Sequence, residues 1–155
     1  MRSDRESIGF LFGAVLRWRG LAFRAILGPY EVTPRQFSVL ARLWEEDGLP
    51  LTDLAQRLYA DPSSLCRTIV LMEKAGLVRR ERDSSDRRIF RIMLSKKGKA
   101  LKTRLLPRVR AHEQQAIQGL TPSELEVLTG ALRKMLKNVI GPPGNEPPDC
   151  HDEKA

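Results

Sequence analysis

Histidine is nearly missing from this chain of 155 residues, occurring only as His112 and His151. There is also no HExxH helix, no Ser/His/Asp or Cys/His grouping and no glycine-rich phosphate loop, so the inventory leaves an enzyme little to work with. No catalytic residue, cofactor or metal is expected, and His112 reads as a surface position on a helix. Cysteine is as scarce: Cys66 and Cys150 lie far apart and form no CxxC, which suggests neither a disulfide framework nor a zinc site and fits a reducing cytoplasm. Long uncharged apolar runs are lacking too. The stretch Ile8–Leu27 is apolar, but Arg17, Arg19 and Arg24 interrupt it and would be expensive at a bilayer centre, so it reads as a buried helix and no membrane role is expected. The start MRSDRES has neither the apolar segment nor the cleavage site of a signal peptide, so export is not expected.

What the chain does have is positive charge in one place. Its 27 Lys+Arg oppose 19 Asp+Glu, a net +8. Residues 1–60 are near balance at +1, residues 61–110 hold 15 basic against 5 acidic groups, and residues 111–155 come to −3. A basic block of this kind attracts polyanions, either nucleic acid or an anionic membrane surface, and says little about fold.

Apolar residues at three- and four-residue steps (Ile8, Leu11/Phe12, Val15, Ala22, Ile26) predict a first helix ending near Gly28-Pro29. Thr33-Pro34-Arg35-Gln36 holds a cap, a proline for the first helical position and a capping-box glutamine. A second helix should therefore carry Phe37, Leu40 and Leu43/Trp44 inward and stop by Gly48. A short third helix is expected from a Thr52 cap, with Leu54, Ala55 and Leu58 inward. Asp61-Pro62 repeats the start signal for a fourth, closed by Gly76. The period then changes to two: Leu77–Arg82 and Arg88–Leu94 read as strands joined by the turn-forming Asp83-Ser84-Ser85-Asp86. Ser95 should cap a long basic helix over 96–118, kinked at Pro107. Thr121-Pro122-Ser123-Glu124 is a second capping box, opening a last helix striped by Leu125, Leu128, Leu132, Met135 and Val139. From Gly141 the proline-rich GPPGNEPPDCHDEKA has no period and is expected to be a disordered tail. The central helices and hairpin together make a helix-turn-helix with a β-wing.

On a helical wheel of residues 63–74, Leu65, Ile69 and Met72 share a narrow arc while Ser63, Arg67 and Lys74 lie opposite. Ser63, Ser64 and Arg67 fall in the first turn and a half, the part of a recognition helix that usually meets base edges in the major groove. Arg67 can bond guanine O6 and N7 bidentately, and the serines can bond phosphates or bases. The plainer alternative is a solvated face behind an Asp61 cap; the adjoining basic block favours DNA. Leu71 sits toward the polar side without an evident reason.

The hairpin RRERDSSDRRIFRIML has six arginines in sixteen residues and nothing apolar at alternate positions between Val78 and the turn. A projecting ribbon can lay its tip along the minor groove, where arginine suits narrow, strongly negative stretches; Arg87 and Arg88 are the candidates. Asp86, a carboxylate that phosphates would repel, either forms the turn or shapes the tip by pairing with Arg88 or with turn amides.

The segment LTDLAQRLYADPSSLCRTIVLMEKAGLVRRERDSSDRRIFRIMLSKKGKAL resembles the winged-helix core of the MarR family of bacterial transcription regulators. The resemblance rests on the LTxLAxxL helix (Leu51–Leu58), the recognition helix ending MEKAGLV (Ser63–Val78), the wing motif DRR (Asp86–Arg88) and the closing LSxxG (Leu94–Gly98), in that order. Thr33-x-x-Gln36-Phe37-x-x-Leu40 also looks like the family's approach to this core, and the likeness covers about residues 8–140.

The resemblance implies a mainly α fold with a small β-hairpin, a winged helix-turn-helix plus N- and C-terminal dimerisation helices. Residues 1–140 would form one domain, with a DNA-binding lobe at 33–95, dimerisation helices at 5–28 and 96–140, and a tail at 141–155. It implies a cytoplasmic homodimer acting as a ligand-responsive repressor on double-stranded DNA, reading a pseudo-palindrome with half-site centres roughly 10 bp apart. Ser63, Ser64, Arg67 and Thr68 would serve the recognition helix, and Asp86, Arg87 and Arg88 the wing. Lys96, beside Lys97, would touch phosphate, a partner that a cationic helix start needs. Family members often bind small aromatic effectors in a cleft, which Trp18, Phe23, Tyr30 and Trp44 could line here, although aromatics at helical spacing more often form core. A cysteine-based oxidant sensor near the first helix is not supported, since no cysteine lies there; Cys66 reads as a small hydrophobe or a redox-sensitive thiol. The competing reading is a winged-helix module that binds protein or RNA without operator specificity.

Overall fold

In the computed structural model, residues 7–140 are described. Helix α1 (Ile8–Leu27) is capped by the Ser7 hydroxyl and runs into a single 3-10 turn at Gly28–Tyr30. Helix α2 (Pro34–Glu45) opens on a complete Thr33/Gln36 capping box with proline in its first turn. Strand β1 (Leu49–Pro50) is followed by α3 (Leu51–Arg57), α4 (Pro62–Lys74), β2 (Val78–Arg82), β3 (Phe90–Leu94), α5 (Lys96–Ala116) and α6 (Pro122–Ile140). The start of α4 is capped by Asp61, whose carboxylate accepts from Ser64 N–H, and Gly76 takes the left-handed conformation just beyond its end.

Two features depart from the sequence reading. First, the sheet has three strands in the order β1-β3-β2, because Leu49 and Pro50 pair antiparallel with Ile92 and Arg91; a two-residue strand containing proline shows no period. Second, α3 starts two residues earlier than expected and has no side-chain cap, with Pro50 at its boundary and Thr52 inside its first turn. The pairing of β1 with β3, not a capping side chain, sets where this helix begins. The long helix expected after the Ser95 cap is present as α5, which runs from Lys96 through Pro107 to Ala116.

The predicted inner faces of the central helices are the core. Leu65, Ile69 and Met72 of α4 are fully buried, with Leu40 and Leu43 of α2, Leu54 of α3, Ile92 of β3 and Leu105 of α5 packed around them. Each such side chain contributes roughly 1.5–3 kcal/mol by leaving water, which holds the polar face of α4 outward against a rigid support.

Where the wing meets this core, Gly98 leaves no choice of residue: a Cβ there would lie 2.2 Å from the Leu77 carbonyl oxygen. The close approach lets Ser95 N–H bond Leu77 O and the Ser95 hydroxyl donate to Gly76 O, while Trp44 Nε1 donates to Gly98 O at 2.9 Å. Asp47 completes the joint by accepting from Leu94 N–H and Gly48 N–H. One knot thus fixes α2, the end of β3 and the start of α5.

The outer helices behave differently. The first was expected to be buried, yet in the single chain α1 buries only Leu27 and α6 buries nothing. Phe10, Leu11, Phe12, Val15, Leu16 and Trp18 are exposed on α1, as are Val127, Leu128, Leu132, Met135 and Val139 on α6. The capping box that opens α6 is present, with Thr121 and Glu124 bonding each other's backbone N–H. Contiguous apolar surface of this kind marks an interaction face.

Candidate nucleic-acid interface

The outward face of α4 carries Ser63 and Arg67, both exposed, with Ser64 half-buried beside them. Arg67 has no partner among the described residues, so its five donors are available to a ligand. Thr68 does not join them: it is 8% exposed and donates its hydroxyl to Ser64 O at 3.2 Å, the back-bonding common for threonine inside helices. Leu71, the odd apolar residue of the wheel, is 58% exposed one turn beyond Arg67. An apolar side chain on that face can meet the methyl groups of thymines.

Of the six wing arginines, Arg79 pairs with its strand neighbour Glu81 at 2.6 Å, and the other five divide into structural and projecting sets. Arg80, with a side chain 14% exposed, donates Nε to Glu73 Oε2 at 2.8 Å, and its backbone N–H bonds the same carboxylate, which clamps β2 to the end of α4. Arg91 donates to Asp83 and, through Nη1, to Gly48 O at 3.0 Å. Asp83 also accepts from the N–H groups of Ser85 and Asp86. The Arg91 hydrogen bond, aided by those two amides, holds the Asp83 carboxyl down at about 2. The hairpin turn is therefore wrapped around an anion that belongs to the protein, a role the sequence did not reveal for either Asp83 or Arg91. The i, i+2 amide pattern following an aspartate was the one signal for it.

Arg82, Arg87 and Arg88 remain at the tip. Arg82 lies over the Phe90 ring, 4.8 Å from its centroid, and donates to Arg87 O at 2.6 Å, so it stiffens the loop that presents the other two. Asp86 does both things expected of it. It accepts from Arg88 N–H and from Arg88 Nε and Nη2 at 3.1 and 3.0 Å. The Arg88 guanidinium pulls the Asp86 carboxyl below the usual range, and Asp86 in turn raises the already high affinity of Arg88 for its proton. The Arg88 side chain is nonetheless 90% exposed: the carboxylate aims it without covering it. Arg87 is exposed with no side-chain partner among the described residues. Lys96 is exposed at the start of α5, whereas Lys97 donates to Ala75 O at 3.0 Å and serves as a cation at the carbonyl end of α4.

Of the four aromatics proposed to line an effector cleft, Phe23 and Tyr30 pack, partly buried, against the core that contains Trp44, while Trp18 stands outside it. Phe23 and Trp44 each contact Phe37 edge-to-face, and Trp44 is 9% exposed and part of the core. Tyr30 has Arg104 and Arg108 over its ring at 5.7 and 5.9 Å. Trp18 is exposed on α1 and shares no ring contact with the others. His112 is not a plain surface residue: it stacks on Phe23 with 6.1 Å between centroids, and its Nε2 is buried without a hydrogen-bond partner. Cys66 is buried against the inner side of α4.

A helix pair with its second helix exposed, followed by an arginine-tipped ribbon, is the architecture of a winged helix-turn-helix DNA-binding protein. Comparison with known proteins narrows the class. The sequence profile of the MarR family matches residues 32–90. The HTH-type transcriptional regulator TtmR of Methylorubrum extorquens is 36% identical over 140 residues, which is 86% of this chain and 70% of that protein. The structure superposes on AbsC, a MarR family regulator of Streptomyces coelicolor, with a TM-score of 0.80 and 28% identity, covering 92% of this chain and 99% of AbsC. It also matches the transcriptional repressor CouR bound to a 23-mer DNA duplex, with a TM-score of 0.75 and 27% identity over 87% of this chain and 97% of CouR. The chain belongs to the MarR family of transcription regulators.

Proposed function

We propose that the protein works in the cytoplasm as a homodimeric repressor that reads a pseudo-palindromic duplex, one half-site per subunit. The observation that carries this reading is the pairing of an exposed Ser63/Arg67 face on α4 with a wing whose most exposed arginine is aimed by its own carboxylate. A generic polyanion binder has no use for a fixed guanidinium direction. Arg67 reads bases, Arg87 and Arg88 enter the minor groove, and Lys96 contacts phosphate. Ser63 adds a base or phosphate contact, and Asp86 works only through Arg88. The open apolar faces of α1 and α6 supply the dimer contact, since water-exposed Leu, Val and Phe over two long helices are more stable against a second copy. CouR, which is bound to a duplex, supports the choice of DNA over RNA or protein.

Release from DNA is assigned to a small aromatic effector bound where α1, α2 and α5 meet. Phe23 offers a ring face there, and His112 Nε2 offers a buried polar atom with no partner.

The test is selection from a randomised duplex pool, followed by competition with RNA, with the oligomeric state measured in parallel. The expected result is a symmetric target with half-sites about 10 bp apart, bound by two subunits and resistant to RNA. Equal capture of RNA and of every duplex sequence overturns the reading. A panel of hydroxylated aromatic acids, screened for release of that target, tests the effector assignment: release by wild type and not by His112→Ala supports it, and no release by any member removes it.

A further inference from the structure

The wing leaves the core as a two-stranded ribbon with β2 at the sheet edge, and a lone ribbon of that kind is pliant. Arg80 is paired with Ile92 across it and Arg82 with Phe90 one step nearer the tip, so these four side chains share one face. Ile92 is fully buried in the core at the foot of that face. From there a chain of contacts runs outward. Glu73, in the last turn of α4, accepts Arg80 N–H through Oε1 at 3.0 Å and Arg80 Nε through Oε2 at 2.8 Å. The Phe90 ring has the Arg80 guanidinium 5.9 Å from its centroid and the Arg82 guanidinium at 4.8 Å. Arg82 then donates to Arg87 O at 2.6 Å. The recognition helix is thereby joined to the wing tip through one aromatic ring.

We infer that Phe90 is a positioning residue that fixes the spacing, in base pairs, between the bases α4 reads in the major groove and the place where Arg87 and Arg88 enter the minor groove. This deepens the proposed operator reading and rests on it. One base pair added between the two places moves the flank by roughly 3.4 Å and turns it by about 35°. A wing tied to α4 cannot follow that movement without breaking the stack on Phe90. The opposite face of the ribbon has its own brace, in which Arg91 bonds Asp83 and reaches Gly48 O. That brace anchors the ribbon to the start of β1 and has no link to α4. A ribbon braced on one face alone can bend about that face, so without the Phe90 stack the tip is free to swing after a displaced flank. A ring face suits the task because it holds a guanidinium in place without neutralising the charge that DNA attracts.

Selection from a randomised duplex pool first defines the half-site and its flank. Shifted targets are then made with one base pair inserted or removed between the bases that α4 reads and the flank, keeping the distance between the two recognition-helix sites constant. Affinities for selected and shifted targets are compared for wild type, Phe90→Leu, Phe90→Tyr and Arg82→Ala, with circular dichroism confirming folding. Wild type should bind the shifted targets about tenfold more weakly, the scale of one lost base contact. Phe90→Leu keeps an apolar side chain but removes the ring face, and should bring the two affinities close together. Phe90→Tyr restores the face and should restore the discrimination. Arg82→Ala should relax it as Phe90→Leu does, and combining the two should relax it no further, since both break the same link; Arg82→Ala also decides the matter if Phe90→Leu fails to fold. The inference is overturned if the variants weaken selected and shifted targets alike, so that their ratio stays at the wild-type value. It is equally overturned if Arg82→Ala lowers the salt slope by about one with that ratio unchanged, the mark of a phosphate contact alone, or if wild type binds both kinds of target equally. Each of those results leaves the operator reading standing; failure of wild type to select any symmetric target removes both.

Discussion

Two residues show how differently the sequence exposes a contact and a constraint. Arg67 was readable from a helical wheel, because opposition to Leu65, Ile69 and Met72 suffices to place it outside. Replacing it with alanine should remove base discrimination worth roughly 1–3 kcal/mol at one position per half-site while leaving the melting temperature near wild type; competition titrations over single-base variants of the selected target check this. Gly98 is the reverse case. Its place in LSxxG was visible, but the reason lies in the Leu77 carbonyl, twenty-one residues earlier, and no local pattern encodes that approach. Gly98→Ala should destabilise the fold by about 3 kcal/mol or more, since backbone atoms on both sides must move apart, with urea unfolding as the measurement. Thr68 belongs to the same lesson: its neighbours Ser64 and Arg67 face out or half-out, and a rotation of one position puts its hydroxyl into the helix backbone.

At the scale of elements, caps and prolines carried most of the legible information. Thr33/Gln36, Asp61, Ser95 and Thr121/Glu124 each start a helix where expected, because a cap is a local bond between residues three apart. Strand β1 and the start of α3 were not legible, since they follow from pairing with a strand more than forty residues away. The wing was recognised as a hairpin, but its internal order was not, because Arg91 reaches Asp83 across the ribbon. That order has a pH signature. Asp83 is held at about 2 against an ordinary 3.8. A carboxyl depressed in the folded state stabilises it fully above its unfolded value, and the contribution disappears as the pH falls through the folded one. The Ser85 and Asp86 amide resonances should therefore hold steady from neutral pH down to about 4 and shift with a midpoint near 2. Asp83→Asn should remove that titration and raise amide exchange across the turn at every pH. A midpoint near the ordinary aspartate value would show that the Arg91 pair does not form.

At the scale of the whole molecule, the positive middle third and the apolar helices near the two ends become two separate surfaces, the first suited to DNA and the second to the proposed partner copy. The buried-helix reading of Ile8–Leu27 was a statement about hydrophobicity, and burial by another copy satisfies it as well as burial within the chain does; a sequence cannot tell those apart. Leu132 and Val139 lie on the open face of α6, where they touch no core of their own chain. Replacing both with glutamate would place charges in the proposed dimer interface, which excludes water, whereas in a lone subunit the same charges stay solvated. The sedimentation mass should then fall to that of the single 17.6 kDa chain, with the helical spectrum retained in the winged-helix core. DNA binding supplies the sharper readout. A dimer neutralises the phosphates of two half-sites and a monomer those of one, so the slope of log affinity against log salt should fall by about half. The preference for a symmetric over a single half-site should vanish with it. If the double variant stayed dimeric with an unchanged slope, the subunits would have to meet through some other surface, and the spacing of the two recognition helices would need a different explanation.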